Sequence, residues 1–573
     1  MNETPVNNTV WRTRSYLLLA GFVLAALVLT WRAVDLQVLH SGFLSSQAEA
    51  RQVRVVDIPA HRGMIKDRNG DPLAVSTPVD SVYVNPGRLV GDPESIARLA
   101  AVTGHEAEAL ASAVQSRQGR EFMYVRRHMT PDAAAAVTAL DLPAVGLRRE
   151  YRRYYPVGEV AAHVLGFTNI DDRGQEGLEL AFNDWLRGES GSKRVVRDRL
   201  GHVVEEIGLV KEPRPGKDLL LSIDRRVQYL AYRELKAAVA EHGARGGSIV
   251  ILDVETGEVL AMANQPAFNP NNRLTLNRKA TRNRAVTDVF EPGSAFKPFV
   301  VAAALEHKTV TPDALIQTAP GWLRVQDSTV RDFRNFGELS LTRVLSQSSN
   351  VGATKVAMTL SPEQLWTGLR GFGFGDITAS GFPGERGGYL SHFDTWQPIR
   401  QATLAYGYGV SVTPLQLARA YGAFAAGGVL RDVSFLRVNQ PAPGRRVLDE
   451  ATATRMLDML EHVVTEGTGT RARVPFYRIA GKTGTARKSA AGGYAEGRHV
   501  SVFAGVAPAT APRLVTVIMI DEPSGEAYAG GQVAAPAFAR VMTGALRLLD
   551  VPPDGLEDGQ RVAGLGGTRE AGP

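Results

Sequence analysis

The sequence predicts an α+β protein with one N-terminal transmembrane helix, an elongated β-rich module, and a larger domain whose antiparallel sheet is flanked by helices. Three observations carry this. One uncharged run stands at residues 15–31, arginine-rich strand-like stretches fill residues 40–217, and strand patterns at both ends of residues 218–550 enclose a helical middle. With 573 residues, 44% hydrophobic and 22% charged, the chain has ample material for buried cores, which excludes disorder along most of its length. It has no cysteine, so disulfides, cysteine-bound metals and thiol nucleophiles are excluded. The net charge of +6 would suit an anionic neighbour, but the arginines are spread along the chain and read as a solvated surface.

Residues 1–14 are expected to form a cytoplasmic tail and residues 15–39 a membrane anchor. Trp11 and Trp31 stand 20 positions apart, a helical span of about 30 Å that matches the hydrocarbon core and puts an indole at each interface. Arg32 and Asp35 follow the apolar run at once, and Ala48-Glu49-Ala50 comes too late for signal cleavage, so the anchor is read as uncleaved. Arg12 and Arg14 then orient the N-terminus to the cytoplasm, with the rest outside it. The module at 40–217 carries turn signals such as Asp67-Arg68-Asn69-Gly70 and a helical patch at 177–187, and Pro213-Arg214-Pro215-Gly216 marks its end.

The domain at 218–550 begins with a helix that Asp224 can cap, its apolar residues Val227, Leu230, Ala231, Leu235 and Ala238 at helical spacing. A hairpin follows, with strands at 248–253 and 258–263 joined through Glu255-Thr256-Gly257. Further strands are expected at 479–485, 500–506 and 514–520, and a closing helix at 533–549. The Gly- and Pro-rich residues 551–573 are read as a disordered tail.

The 11 histidines are scattered without paired spacing, and no metal site is expected. Gly481-Lys482-Thr483 resembles the end of a phosphate loop, but Phe476 stands where that loop needs glycine, and the run Gly371-Phe372-Gly373-Phe374-Gly375 reads as a turn. Three ordered motifs remain: Ser294-Ala295-Phe296-Lys297, Ser348-Ser349-Asn350 and Lys482-Thr483-Gly484-Thr485. Together they describe an acylating serine enzyme. Ser-x-x-Lys alone arises about once in a few hundred residues, and Ser190-Gly191-Ser192-Lys193 is a second copy in a charged, glycine-containing turn.

Context favours the first copy. Ser294 follows Glu291-Pro292-Gly293 and opens an apolar helix over 296–305, and Pro298 is tolerated in a first turn. Residues i and i+3 share a helix face, which places the Lys297 amine near the Ser294 hydroxyl. A helix N-terminus disfavours the ammonium form of Lys297, favours developing negative charge, and offers unpaired amides to an oxyanion. Ser348 would supply a hydroxyl between two lysines as a proton path, and Asn350 an amide to hold a peptide bond. Lys482 adds positive charge, and Gly484 would let a substrate backbone approach its strand.

These motifs, in this order, resemble the penicillin-binding proteins and serine β-lactamases, and the chain is similar to class B penicillin-binding proteins from the anchor to about residue 545. Arg62-Gly63-Met64-Ile65-Lys66-Asp67-Arg68-Asn69-Gly70, Gln175-Glu176-Gly177-Leu178-Glu179 and Asp198-Arg199-Leu200-Gly201 resemble that family's N-terminal pedestal (dimerisation-type) domain. The loop from Gly407-Tyr408-Gly409 to Thr413-Pro414-Leu415-Gln416, and Gly530-Gly531 with Ala535-Pro536-Ala537-Phe538, look like the division-specific FtsI type. Ala529 departs from the aromatic residue expected after Tyr528.

The resemblance implies a β-lactamase-like penicillin-binding domain that cross-links peptidoglycan stem peptides at the septum without a cofactor. Ser294 would attack the penultimate carbonyl of a D-Ala-D-Ala stem, the N–H groups of Ser294 and Thr485 would form the oxyanion hole, and Thr483 and Thr485 with Lys482 would recognise the terminal carboxylate. It further implies inhibition by β-lactams, an inner-membrane location with a periplasmic catalytic domain, an FtsW-type glycosyltransferase and divisome proteins as partners, and no nucleic acid. The competing expectations are a D-Ala-D-Ala carboxypeptidase or β-lactam hydrolase, and a non-catalytic β-lactam sensor or scaffold.

Overall fold

The computed structural model describes residues 8–40, 53–197, 203–441, 444–490 and 493–556. Ala48-Glu49-Ala50, Asp198-Arg199-Leu200-Gly201, residues 1–7 and the end of the expected tail, 557–573, lie outside the described residues. Chain contacts divide the protein into two units, Met1–His61, Pro78–Glu150 and Gly188–Pro215 in one, and Arg62–Thr77, Tyr151–Arg187 and Gly216–Pro573 in the other.

In the first unit the apolar run is helical from Asn8 to Val34 and continues through a π-helical turn at Asp35–Leu39. The helix therefore takes in residues 8–14 of the expected tail, and its apolar side chains, Trp11 and Trp31 included, are exposed. It is long and apolar enough to cross a membrane. The same unit holds a three-stranded antiparallel sheet of Val53–Ile58, Gly191–Arg197 and Val203–Lys211. Its remaining core is more helical than the strand-like reading implies. Pro93–Thr103, Ala107–Gln115 and Pro131–Thr138 are helices around Val82, Leu99, Leu110 and Val114. Asp92 caps the first of them by accepting from the Ser95 N–H at 3.0 Å.

The second unit is built on a five-stranded antiparallel sheet. Its strands are β1 (Gly246–Asp253), β2 (Val259–Gln265), β3 (Ala480–Ala490), β4 (Gly493–Ala507) and β5 (Leu514–Asp521), in the spatial order β2-β1-β5-β4-β3. Both faces are buried, so side chains divide by the strand period of two. Ile249, Ile251, Ile518 and Ile520 face helices α1 (Arg225–Glu241) and α6 (Gly530–Leu548). Val250, Leu252, Val515 and Val517 face a larger core holding α2 (Lys297–Glu306), α4 (Pro414–Ala425) and α5 (Glu450–Thr465). Asp224 caps α1 as its sequence predicts, accepting from the Arg226 N–H at 2.9 Å.

Segments 62–77 and 151–187 join this unit rather than the first, although the sequence break near 217 assigns them to the module before it. Tyr155 N–H donates to Asn271 Oδ1 at 3.0 Å and Gln228 Nε2 to the Val160 carbonyl at 2.8 Å, and a buried charge cluster ties the two segments to each other. Glu179 accepts from Arg62 Nε at 2.8 Å and from Arg153 Nε at 2.6 Å, with all three side chains at most 1% exposed. The chain is also held past residue 550, where a disordered tail is expected. Val551 is buried, Tyr477 donates to its carbonyl at 2.7 Å, and Asp554 accepts from the Arg478 N–H at 2.7 Å. These polar and apolar anchors hold residues whose composition alone reads as disorder.

Glu179→Ala would leave two buried guanidinium groups without the carboxylate that contacts both. Its expected destabilisation is about 3–5 kcal/mol, read as a fall in the thermal unfolding midpoint. Removing one partner of an exposed pair, in Lys211→Ala, should change it by less than about 1 kcal/mol.

Candidate active site

Ser294 lies in a 3₁₀ turn, Gly293–Phe296, that runs directly into α2, so Lys297 is the first α-helical residue and Pro298 falls where its missing N–H has no partner to lose. The turn rests on an aromatic core in which Phe299 meets Phe372, Phe374, Tyr421 and Phe424 at centroid distances of 4.8–5.2 Å. Tyr421 donates its hydroxyl to the Ala295 carbonyl at 2.7 Å.

The i, i+3 spacing does what the sequence predicts: Lys297 Nζ donates to Ser294 Oγ at 2.9 Å. The same amine reaches the Ser348 carbonyl at 2.6 Å, Ser348 Oγ at 3.1 Å and Asn350 Oδ1 at 2.8 Å. Lys482 Nζ, from β3, reaches Ser348 Oγ at 3.1 Å and the Thr483 carbonyl at 3.1 Å. The Ser348 hydroxyl is therefore shared by two lysine amines. Its residue has a left-handed backbone, φ 60°, uncommon for a side chain other than glycine.

Both lysines are fully buried. Burial pushes Lys297 well below the ordinary lysine range, the nearby Lys482 pushes it further, and the carboxylate of Asp332 opposes them. Burial also brings Lys482 down to about 7. Burial thus disfavours the ammonium form of Lys297 beside a half-buried serine hydroxyl, and Ser348 links it to a second amine disfavoured in the same way.

Gly484 also has a packing role inside the fold. A Cβ there would come within 2.4 Å of the Pro292 carbonyl and 3.0 Å of the Ala295 Cβ, so the glycine lets β3 press against the nucleophile turn. Gly407 acts likewise from the other side: its φ is +81°, and a Cβ would lie 2.1 Å from the Gly293 carbonyl. Thr485 Oγ1 accepts from the Gly530 N–H at 2.9 Å, and Thr483 Oγ1 is bonded to Thr468 Oγ1 at 2.7 Å. Asn350 is engaged by the protein itself, its Oδ1 with Lys297 and its Nδ2 donating to the Arg331 carbonyl at 3.0 Å.

The second Ser-x-x-Lys copy is not assembled in this way. Gly191–Arg197 is a strand, where residues three apart point to opposite faces, and Lys193 is paired with Glu206. Three contributors escape the sequence reading. Asp332 accepts from the Asn350 N–H and Ser349 Oγ, Thr468 supports Thr483, and Glu291 accepts from the Gly409 N–H at 2.7 Å. Beside the site, His499 stacks on Tyr528 at 4.4 Å, and Ala529 is the N-cap of α6. A cleft of about 840 Å³ elsewhere in the unit, with His163, Glu176 and Arg278 in its wall, includes none of the motif residues. Among the described residues no group of three His, Asp or Glu side chains is placed to hold a metal ion.

Residues 247–543 match the family described as penicillin binding protein transpeptidase domain, and residues 57–221 the penicillin-binding protein dimerisation domain. The chain is 43% identical over 551 residues to a probable peptidoglycan D,D-transpeptidase PbpC of Pseudomonas aeruginosa, covering 96% of this chain and 98% of that one. It is 41% identical over 568 residues to the peptidoglycan D,D-transpeptidase FtsI of Escherichia coli K12, covering 98% and 95%. Among solved structures, penicillin-binding protein 3 of Mycobacterium tuberculosis complexed with aztreonam superposes with a TM-score of 0.68 at 29% identity, covering 87% of this chain and 98% of that one. The apo transpeptidase domain of Burkholderia pseudomallei penicillin-binding protein 3 does so with 0.54 at 43%, covering 58% and 97%.

Two outcomes follow from this geometry. Gly484→Ala should slow acylation of the serine about 100-fold by shifting the nucleophile turn, measured with a fluorescent penicillin. Lys482 has a folded pKa near 7, below its unfolded value of 10.5, so the unfolded chain binds more protons between these values and stability rises with pH across that window. In Lys482→Met the rise in unfolding midpoint from pH 7 to 10 should be smaller than in the parent.

Proposed function

The chain belongs to the penicillin-binding protein transpeptidases, and from that premise we propose that it is a septal peptidoglycan D,D-transpeptidase working through a Ser294 acyl-enzyme. The observation that carries the mechanism is the buried Lys297 amine, 2.9 Å from Ser294 Oγ and joined through Ser348 Oγ to Lys482. Lys297 takes the Ser294 proton as Oγ bonds to the penultimate D-alanine carbonyl carbon of a stem peptide. The backbone N–H groups of Ser294 and Thr485 hold the resulting oxyanion, donors each worth about 3 kcal/mol of barrier. The C–N bond then breaks, a proton passes to the departing amine by way of Ser348 and the lysine pair, and D-alanine leaves. An amine of a second stem attacks the ester carbonyl and loses its proton, the C–Oγ bond breaks, Oγ regains a proton, and the new amide is the cross-link. Lys482, Thr483, Gly484 and Thr485 bind the donor strand and its terminal carboxylate, and Asn350 orients Lys297 and the stem amide.

Several features support the cellular assignment. The loop Gly407-Tyr408-Gly409 packs on the nucleophile turn, and the FtsI relative shares nearly the whole chain. Arg12 and Arg14, at the N-terminal end of the apolar helix, favour a cytoplasmic N-terminus and a periplasmic catalytic unit at the inner membrane. One apolar helix and the dimerisation-type domain suit an FtsW-type glycosyltransferase and divisome proteins as partners.

In the full-length protein a fluorescent penicillin should label Ser294, and Ser294→Ala should abolish the label and cross-linking of stem peptides. A label at Ser192 would overturn the site assignment. Rapid release of hydrolysed penicillin would replace the transferase with a hydrolase, and full cross-linking by Ser294→Ala would replace the acyl-enzyme with another mechanism.

A further inference from the structure

Asp332 follows a short strand, Ser328–Arg331, and lies beneath the Ser348–Asn350 loop. Its Oδ1 accepts from the N–H groups of Asn350 at 2.5 Å and Val351 at 3.1 Å, and its Oδ2 accepts from Ser349 Oγ at 2.6 Å. Ser349 in turn accepts from the Gly352 N–H at 2.8 Å. The first amides of helix α3 (Asn350–Ala357) are thus satisfied by a carboxylate from another segment together with the helix's own N-cap. One residue before this capped end stands Ser348 with its φ of 60°. A non-glycine residue persists there only where its surroundings hold it, at a strain of order 1–3 kcal/mol. Ser348 is held by its N–H donating to the Leu345 carbonyl at 3.1 Å and its carbonyl accepting from Lys297 at 2.6 Å, while the Asp332 clamp and the bond from Asn350 Nδ2 to the Arg331 carbonyl fix the residues that follow.

That loop presents three of the four oxygens around Lys297 Nζ: the Ser348 carbonyl, Ser348 Oγ and Asn350 Oδ1. The charged groups acting on Lys297 are Lys482 from β3 and Asp332, of opposite sign, while its direct partners Ser294, Ser348 and Asn350 are neutral. We propose that Asp332 is a positioning residue of the transpeptidase reaction, which fixes the Ser348–Asn350 loop around Lys297 and supplies the one negative charge that keeps a proton available to the lysine pair. The inference rests on Lys297 acting as the base for Ser294. Asp332 touches no reacting atom, and its effect passes through the loop and through its field.

The test compares second-order acylation rates for a fluorescent penicillin across pH in the full-length parent, Asp332→Asn and Ser349→Ala. In Asp332→Asn the side chain keeps its shape and loses its charge. Deprotonation of Lys297 then becomes easier, so the acid limb of the profile should move down by about one pH unit, with a plateau at least 10-fold lower from the loosened loop. Ser349→Ala keeps the charge and removes one of its bonds, so its plateau should fall while the acid limb stays with the parent. A purely structural Asp332 would lower the plateau without moving the limb, and that result overturns the proposal. So does a Ser349→Ala profile that coincides with the parent, a measurement that stands even if Asp332→Asn fails to fold. A parent that forms no lasting acyl-enzyme would count against the function reading, whereas these outcomes require a parent that does.

Discussion

The arrangement of the reactive centre follows from one constraint, the burial of two lysine amines around a single serine hydroxyl. Removing an ammonium from water costs several kcal/mol even after the protein relaxes. Among the described residues, every polar partner of Lys297 Nζ and Lys482 Nζ is a neutral oxygen. Neutral acceptors offset part of that loss and leave the charged form disfavoured, which is the condition the proposed base needs. The cluster of Arg62, Arg153 and Glu179 is the opposite solution within the same unit. There the buried cations have a carboxylate in direct contact. A carboxylate in contact with Lys297 would hold it in the ammonium form. Asp332 acts on it from behind the loop.

The second requirement is close approach of backbones. The nucleophile turn, the β3 edge and the Gly407 loop come together at distances that exclude a side chain, since a Cβ at Gly484 or Gly407 would lie within 2.4 Å of a carbonyl oxygen in or beside the turn. Close-packed interiors transmit such displacements, and the aromatic layer around Phe299 and Tyr421 gives the turn no room to retreat. Placement of the serine therefore depends on residues that carry no chemistry, and the three motifs work only because glycines and aromatics bring their segments into register.

What could be read from the sequence follows this division. Patterns with a local cause were legible: the anchor from its uncharged run, the cap at Asp224, the five strands from their periodicity, and the Ser294–Lys297 pair from helical spacing. Contacts with a long-range cause were not. Asp332 is an ordinary aspartate in a polar stretch, and only the fold brings it under Ser349 and Asn350. The packing role of Gly484 is not legible, because a strand glycine looks the same whether it makes room for a ligand or for another segment of the protein. The helices Pro93–Thr103 and Ala107–Gln115 were hidden by short periods in an arginine-rich region, and residues 551–556 looked loose because composition does not reveal that Tyr477 and Arg478 bind them.

The threonines of β3 show how the frame can prepare a site for an anion before one arrives. Thr485 Oγ1 accepts the Gly530 N–H, and a hydroxyl whose oxygen is so engaged has its own proton left to donate. That bond requires α6 to begin beside the strand, and a Cβ at Gly530 would lie 2.3 Å from the Gly484 carbonyl, so no other residue type fits there without displacing β3. In the proposed reaction the stem carboxylate thus meets a donor whose direction is set by the backbone. The neighbouring Thr483 is oriented by Thr468, and Lys482 lies behind both, within 3.4 Å of Thr483 Oγ1. An anion at the two hydroxyls would favour the protonated form of Lys482, whose pKa near 7 leaves it responsive. Substrate binding would then raise the proton affinity of the second amine, and the charge gained on Lys482 would press Lys297 further toward the free amine that takes the proton from Ser294.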